Sequence, residues 1–117
     1  MTSTTAMGYP AISIDEWVFP SAALDVEDTP NLQANPNPAA SNSITPSVNG
    51  DLIVGTGSGC CGGGNSIIQG TGYAMGGSNV FPAGQEYFAQ STAAPITATF
   101  TFNSVPSYSV THIVAFK

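Results

Sequence analysis

Basic side chains are almost missing from this sequence. Only 7% of its 117 residues are charged, and Lys117 is the single Lys or Arg beside seven acids, which sets the net charge at −6. Nucleic-acid binding requires several Lys or Arg side chains to neutralise phosphates and release counterions. Anionic membrane surfaces attract clusters of the same residues. We therefore expect neither nucleic acid nor an anionic membrane surface as a partner.

Long apolar runs and helical patterns are also missing. No stretch approaches the roughly 20 apolar residues that span a bilayer, so we expect no membrane insertion. Residues 1–5 have neither the basic start nor the apolar core of a signal peptide. This favours a processed or excised chain over one that leaves the cell by another route. No segment repeats apolar residues at helical spacing, so strands must form the fold.

Alternating apolar and polar residues, which are typical of half-buried strands, recur along the chain. The clearest case is Pro95–Asn103, and the other predicted strands are Ala11–Val18, Asp51–Gly55, Ser66–Gln69, Gly72–Met75, Gln85–Ser91 and Tyr108–Phe116. This pattern predicts an all-β fold, an antiparallel β-sandwich or jelly roll. We expect one domain over residues 11–117, preceded by an extended arm over residues 1–10.

Proline and glycine mark the predicted connections. The segment from Pro20 to Pro46 contains five prolines, both ends included. Proline donates no ladder hydrogen bond, so this segment is predicted to be irregular with one edge strand at most. The glycine-dense segment 55–64 is predicted to be a loop. Its G-x-G-x-x-G (Gly57, Gly59, Gly62) lacks the following helix, and the acid about 20 residues later, that a dinucleotide site needs. We expect no cofactor.

Several segments resemble a known type of module. The run SITPSVNGDLIVG and the ending PITATFTFNSVPSYSVTHIVAFK are similar to the closing half of a β-sandwich module found in secreted bacterial and phage proteins, and AISIDEWVFPSAALD resembles the strand that precedes it. The resemblance implies an extracellular location, or one on a cell or virion surface, and these modules have no assigned activity. It also implies that this chain lacks their first strands.

A sandwich that is short of strands exposes sheet edges or apolar core. A strand from a neighbouring copy could fill the gap by β-strand addition, and the segment Thr2–Tyr9 is the candidate donor. The alternative is a compact sandwich with an ordinary loose terminus.

The adjacent cysteines, Cys60 and Cys61, have three possible states. They could form a vicinal disulfide, remain as free thiols, or bridge to another chain. Flanking glycines would tolerate the tight turn of a vicinal bridge. A zinc site is not expected because His112 is the only further ligand of this kind in the sequence.

Catalytic and metal-binding groups find little support. His112 lies mid-strand among apolar residues, which favours a buried or interface histidine over a general base, and Asp15 and Glu16 must point to opposite faces of their strand. The one acid cluster is Asp25, Glu27 and Asp28. Calcium binds such oxygens, but no EF-hand spacing is present, so we expect a solvated acidic loop and no metal. We expect no enzymatic activity.

Aromatic side chains are the remaining candidates for a contact with a ligand or partner. Trp17, Tyr87 and Tyr108 could stack on a sugar or a protein, and either Tyr87 or Phe88 must face outward from a strand. Two functions compete. The first is an extracellular structural subunit that self-assembles, as a filament or surface layer, through strand addition or sheet packing, which implies a homo-oligomer. The second is a carbohydrate-binding or adhesive module of a larger secreted protein.

Overall fold

The computed structural model describes residues 16–18, 23–62, 66–80 and 83–117. Those residues contain strands and no helix, and every strand pairing is antiparallel. The strands are β1 (Leu24–Glu27), β2 (Asn31–Ala34), β3 (Ala39–Ala40), β4 (Leu52–Cys60), β5 (Ile67–Gln69), β6 (Ala74–Val80), β7 (Ala83–Ala89), β8 (Thr99–Phe102) and β9 (Tyr108–Phe116). The predicted all-β antiparallel sandwich is confirmed. The predicted arm, residues 1–10, lies outside the described residues.

The strands form two sheets. The six-stranded sheet has the order β1-β9-β4-β7-β6, and β2 also pairs with β9. β1 pairs with the C-terminal part of β9 and β2 with its N-terminal part, so two short strands share one long neighbour. The smaller sheet has the order β3-β8-β5.

The core lies between the inner faces of these two sheets. Burial alternates along β9, with Ile113 and Ala115 buried between half-exposed neighbours. Phe100 and Phe102 of β8 face them from the smaller sheet and are the largest of the fully buried side chains. This alternation is what a strand with one buried face requires.

The predicted glycine loop over residues 55–64 is wrong for residues 55–60, because β4 continues through Cys60. Gly55 and Gly57 lie on its inner face, where a Cβ would stand 2.5 Å from the Ala98 Cβ and 2.4 Å from the Phe100 Cδ2. The missing side chains allow the smaller sheet to close on β4. The G-x-G-x-x-G pattern therefore begins in a strand that serves packing.

Other predicted boundaries also change. The proline-rich connection contains three short strands, β1 to β3, because their ladder partners are β9 and β8 far along the chain. Residues 95–98 of the predicted strand Pro95–Asn103 form only an isolated bridge, Ile96 to Ile44. Residues 16–18 are not in a strand, and the rest of Ala11–Val18 lies outside the described residues. The predicted strand Tyr108–Phe116 is confirmed.

Side chains continue the backbone pairing at the edge of the smaller sheet. Asn37 donates its Nδ2–H to the Phe102 carbonyl at 2.9 Å and accepts the Phe102 N–H at 3.0 Å. Ala40 of β3 is bound in the same way, since its N–H donates to Gln33 Oε1 at 2.8 Å and its carbonyl accepts from Asn31 Nδ2 at 2.9 Å. Side chains of β2 thus occupy the edge of β3 that a further strand would need.

Candidate functional site

Three exposed side chains form an apolar patch on the outer face of the six-stranded sheet. They are Leu32 of β2, with 69% of its surface exposed, and Tyr108 and Val110 of β9, with 54% and 41% exposed. Leu32 lies directly opposite Val110 across the β2–β9 ladder, and Tyr108 lies two residues from Val110 on the same face. The patch is thus continuous across two paired strands. No charged residue occurs in β2 or among residues 108–111 of β9.

A second aromatic group consists of Tyr87, on β7 of the same sheet, and Trp17, which packs against it. Trp17 packs edge-on against Tyr87 with ring centroids 4.7 Å apart, a spacing typical of a stabilising aromatic pair. Tyr87 faces outward, whereas the next residue, Phe88, packs against the core. The structure therefore brings Trp17 and Tyr87 together, and places Tyr108 in the apolar patch.

Most acids in the described part of the chain are removed from the surface. The carboxyl groups of Asp25, Asp28, Asp51 and Glu86 are all buried, whereas Glu27 is more than half exposed. The predicted solvated acidic loop is therefore wrong for Asp25 and Asp28. The net charge of −6 thus overstates how much negative charge reaches the surface.

Asp28 connects the β1–β2 turn to the rest of the sheet. Its side chain accepts the N–H of Ile113 at 2.9 Å and the N–H of Asn42 at 3.0 Å. His112 Nε2 lies 3.0 Å from the Asp28 carbonyl oxygen and 3.9 Å from Glu27 Oε2. His112 is thereby bound to the turn between β1 and β2.

The three predicted calcium candidates do not converge. Asp25 binds Ser47 and Lys117, Asp28 binds the N–H groups of Ile113 and Asn42, and Glu27 faces His112. No group of three metal-ligating side chains occurs among the residues that the structure describes.

The sequence did not predict a polar cluster around Asp25 of β1. Its other members are Lys117, which follows β9, and Ser47 and Asp51, which precede β4. Asp25 Oδ1 accepts from Lys117 Nζ at 2.8 Å and from the Ser47 hydroxyl, and Asp25 Oδ2 accepts the Ser47 N–H at 2.5 Å. These donors, Lys117 first, hold the pKa of Asp25 well below its usual range. Asp51 lies beside them, and burial together with the Asp25 carboxylate raises its pKa.

Glu86 is a buried carboxyl group at the contact between the two sheets. It lies on β7, and its oxygens accept the N–H of Gly70 at 2.5 Å and the N–H of Thr99 at 2.9 Å. Burial raises its pKa, and the two N–H donors oppose that rise. Gly70 follows β5 and Thr99 begins β8, so one side chain of the larger sheet binds two segments of the smaller one.

Cys60 and Cys61 are bonded to each other at the end of β4. Cys61 has a positive φ of 64°, and Ser107 fixes the turn by donating its N–H to the Cys60 carbonyl and its hydroxyl to the Cys61 carbonyl, each at 3.0 Å. Cys60 is opposite Tyr108 in the β4–β9 ladder, so the bridge adjoins the apolar patch.

A shallow groove of about 260 Å³ lies between residues 71–73 and residues 95–97, with Phe88 in its wall. Its one phenol is already committed, because the Tyr73 hydroxyl donates to the Thr97 carbonyl at 3.0 Å. Burial raises the pKa of Tyr73. No charged side chain lines this groove, and none of Trp17, Tyr87 and Tyr108 lies in it.

Comparison of the chain with protein-family models, curated proteins and solved structures finds no match. Within the described residues, no helix is long and apolar enough to cross a membrane.

Proposed function

We propose that this chain is a structural β-sandwich subunit that associates with copies of itself through the apolar patch formed by Leu32, Tyr108 and Val110. The observation that carries the proposal is the exposure of these three large apolar side chains on one continuous sheet face. Burial of apolar surface is the main favourable contribution to protein association. Such association would act at an extracellular site or on a cell or virion surface.

The charge distribution favours a second copy of the chain as the partner that binds the apolar patch. The patch carries no charge with which to select a partner of opposite sign, and a two-fold interface requires only that one patch fit itself. The Lys117 ammonium offsets the charge of Asp25 at 2.8 Å, which reduces the repulsion between like chains. The three residues of the patch, through which the sheets of two copies would pack, all lie in the described part of the chain.

Light scattering coupled to size-exclusion chromatography tests the proposal over a range of protein concentrations. The wild type should form a dimer or a larger assembly, and the double substitution Leu32→Lys with Val110→Lys should leave a monomer, because each copy would bring lysines to the contact. The matched control is Ile68→Lys with Val48→Lys, two exposed apolar residues outside the patch. Wild-type protein that stays monomeric at every concentration would contradict the proposal.

Strand addition is a different route to the same assembly. The candidate donor Thr2–Tyr9 lies outside the described residues. Within the described part of the chain, β6 is an edge strand of the six-stranded sheet, where a further strand could pair. Deletion of residues 1–8 distinguishes the routes. Loss of assembly in that variant, with assembly retained after Leu32→Lys and Val110→Lys, would favour strand addition.

A carbohydrate-binding module is the second candidate, favoured by the exposed Tyr108 ring and by the surface pair Trp17–Tyr87. Aromatic faces supply stacking area for a sugar ring. A glycan array, with and without calcium, should then show binding that Tyr108→Ala or Tyr87→Ala removes. No binding on the array would eliminate this candidate.

A further inference from the structure

The bonded cysteines, Cys60 and Cys61, lie at the surface beside the apolar patch. Cys60 is the last residue of β4, and it is one of the exposed residues that alternate with buried ones along the second half of this strand. It lies directly opposite Tyr108 across the β4–β9 ladder, and residues in such positions share a face of the sheet. Cys61 is exposed as well. Small thiol and disulfide reagents can therefore reach a bond that adjoins a patch residue.

Cys61 has a backbone conformation that a residue with a side chain rarely adopts. Its φ of 64° lies in the left-handed region, and such a conformation persists only where the surrounding structure holds it. The covalent bond to Cys60 restrains it, and so does the Ser107 hydroxyl, which donates to the Cys61 carbonyl at 3.0 Å. Reduction removes the covalent restraint. Cys61 can then return to the negative φ values that L-residues favour.

Ser107 connects this turn to both strands of the patch. Its N–H donates to the Cys60 carbonyl at 3.0 Å, and its own carbonyl accepts the Asn35 N–H at 2.9 Å. Tyr108 is the next residue in the chain, and Asn35 directly follows β2, the strand that carries Leu32. A change of φ within the turn alters the relative directions of the two carbonyl groups that Ser107 binds. The ends of β2 and β9 that carry the patch then lose a shared attachment.

We propose that the Cys60–Cys61 bond is a redox site that regulates association through the apolar patch, an inference that rests on the self-association proposed above. The oxidised chain presents a fixed patch and associates, whereas reduction releases the turn and weakens the association. Dithiol reductants and disulfide oxidants are the classes of reagent that convert the site. Disulfides form in oxidising compartments, and cytosolic thiols stay reduced. Association would thus be weak in a reducing cytosol and strong outside the cell.

The exchange balances with a dithiol as the reductant. One thiolate of the dithiol attacks a cysteine sulfur, the S–S bond breaks, and its electron pair leaves on the other cysteine sulfur, which takes up a proton. The second thiolate of the dithiol then attacks the reductant sulfur of the mixed disulfide. The remaining cysteine leaves as a thiolate and takes up a proton. The protein disulfide thereby gains two electrons and two protons, and the dithiol becomes a cyclic disulfide.

Light scattering coupled to size-exclusion chromatography, with and without dithiothreitol, tests the inference. Alkylation with iodoacetamide before mass measurement of the denatured chain reports the redox state, because only the reduced chain gains two carbamidomethyl groups. Reduction should raise the dissociation constant of the assembly by about tenfold for each copy, since restoring the left-handed conformation of Cys61 costs roughly one such factor. The variant Leu32→Lys with Val110→Lys should be monomeric in both redox states.

Two double substitutions separate the conformation of the turn from the bond itself. Cys60→Ser with Cys61→Ser should associate like the reduced wild type, with or without dithiothreitol. Cys60→Ser with Cys61→Gly should associate more strongly than the double serine variant, and equally in both conditions, because glycine adopts a positive φ without a steric penalty. Equal association of these two variants would overturn the inference.

Amide hydrogen exchange tests the connection from the turn to the patch in the absence of association. In the monomeric variant Leu32→Lys with Val110→Lys, the N–H groups of Ser107 and Asn35 should exchange faster after reduction. The N–H of Ile113, farther along β9, should keep its rate and serves as the control. Unchanged exchange at Ser107 and Asn35 would contradict the inference.

The outcomes distinguish this inference from the function on which it rests. Wild-type protein that associates equally in both redox states would overturn the redox inference alone. Wild-type protein that is monomeric in both states would overturn self-association and the redox inference with it. A doubled mass of the oxidised chain after denaturation, or loss of the circular dichroism spectrum of the sandwich on reduction, would also overturn the inference. The cysteines would then join copies or hold the fold.

Discussion

Replacement of Glu86 by alanine should destabilise the contact between the two sheets. The side chain fills the space beside Gly55, where a Cβ would come within 3.0 Å of its Cγ, so the site has room for Glu86 only because Gly55 has no side chain. Its carboxyl oxygens accept the N–H groups of Gly70 and Thr99. Alanine removes both acceptors and leaves two donors with no partner in the protein.

The magnitude follows from those two donors. A buried hydrogen-bonding group that loses its partner costs about 1–3 kcal/mol, so two of them cost roughly 2–6 kcal/mol. Glutamine keeps the size and one acceptor oxygen, but its amide N–H₂ faces the other N–H group. Glu86→Gln should therefore cost about 1–3 kcal/mol. Total stabilities of such domains are about 5–15 kcal/mol, so the alanine variant loses a large fraction.

Urea unfolding at neutral pH, followed by fluorescence of Trp17, measures both losses as a shift of the midpoint at constant slope. Thr101→Ala is the matched control, because Thr101 is exposed on β8 and a surface substitution of this kind changes stability by about 0.5 kcal/mol or less. A Glu86→Ala variant within about 1 kcal/mol of the wild type would refute the reasoning, since each unpaired donor alone should cost that much.

The pH dependence supplies an independent measurement on the same residue. The native pKa of Glu86 is raised above the 4.5 of an exposed glutamate, so the native state binds its proton more tightly than the unfolded state. The stability that this tighter proton binding contributes is fully present below the pKa of Glu86 in the unfolded state. It is lost as the pH rises through the pKa of Glu86 in the native state, by at most about 1.4 kcal/mol per pH unit. Glu86→Gln should remove this slope, and an unchanged slope would assign it to another group.

Three further substitutions test other parts of the sandwich by the same unfolding assay. Gly57→Ala should cost about 1–3 kcal/mol through overpacking against Phe100, whereas Ser58→Ala, one residue later on the exposed face, should be nearly neutral. Asn37→Ala should cost roughly 1–3 kcal/mol, because the N–H and carbonyl of Phe102 lose their partner. Asp28→Ala should also be destabilising by roughly 1–3 kcal/mol or more, since it leaves the Ile113 N–H without an acceptor.

The fold class and the last strand could be predicted because their signal is local. Tyr108–Phe116 alternates along its whole length, and its inner residues are the buried ones. The continuation of β4 through its glycines could not be predicted in this way. Glycine is unfavourable in an isolated strand, and the compensation comes from Ala98 and Phe100, which lie far along the sequence.

The candidate site was predicted less well, for a related reason. Acids are usually exposed, so Asp25 and Asp28 were expected in a solvated loop. Their burial is compensated by hydrogen-bond donors that are distant in sequence. These are the Lys117 ammonium for Asp25 and the Ile113 N–H for Asp28. Tyr108 could be selected as a contact residue from its type alone, but its neighbour Leu32 in the apolar patch depends on the β2–β9 register.

The shortage of basic residues and the burial of acids are connected. One lysine can form an ion pair with only one carboxylate at a time, and it binds Asp25. The other buried, hydrogen-bonded carboxyl groups, on Asp28 and Glu86, accept backbone N–H donors. Backbone donors do not titrate, and buried contacts are weakly screened by salt. Stability should therefore change little between low and moderate salt, and a steep loss in salt would show that ion pairs hold the sheets together.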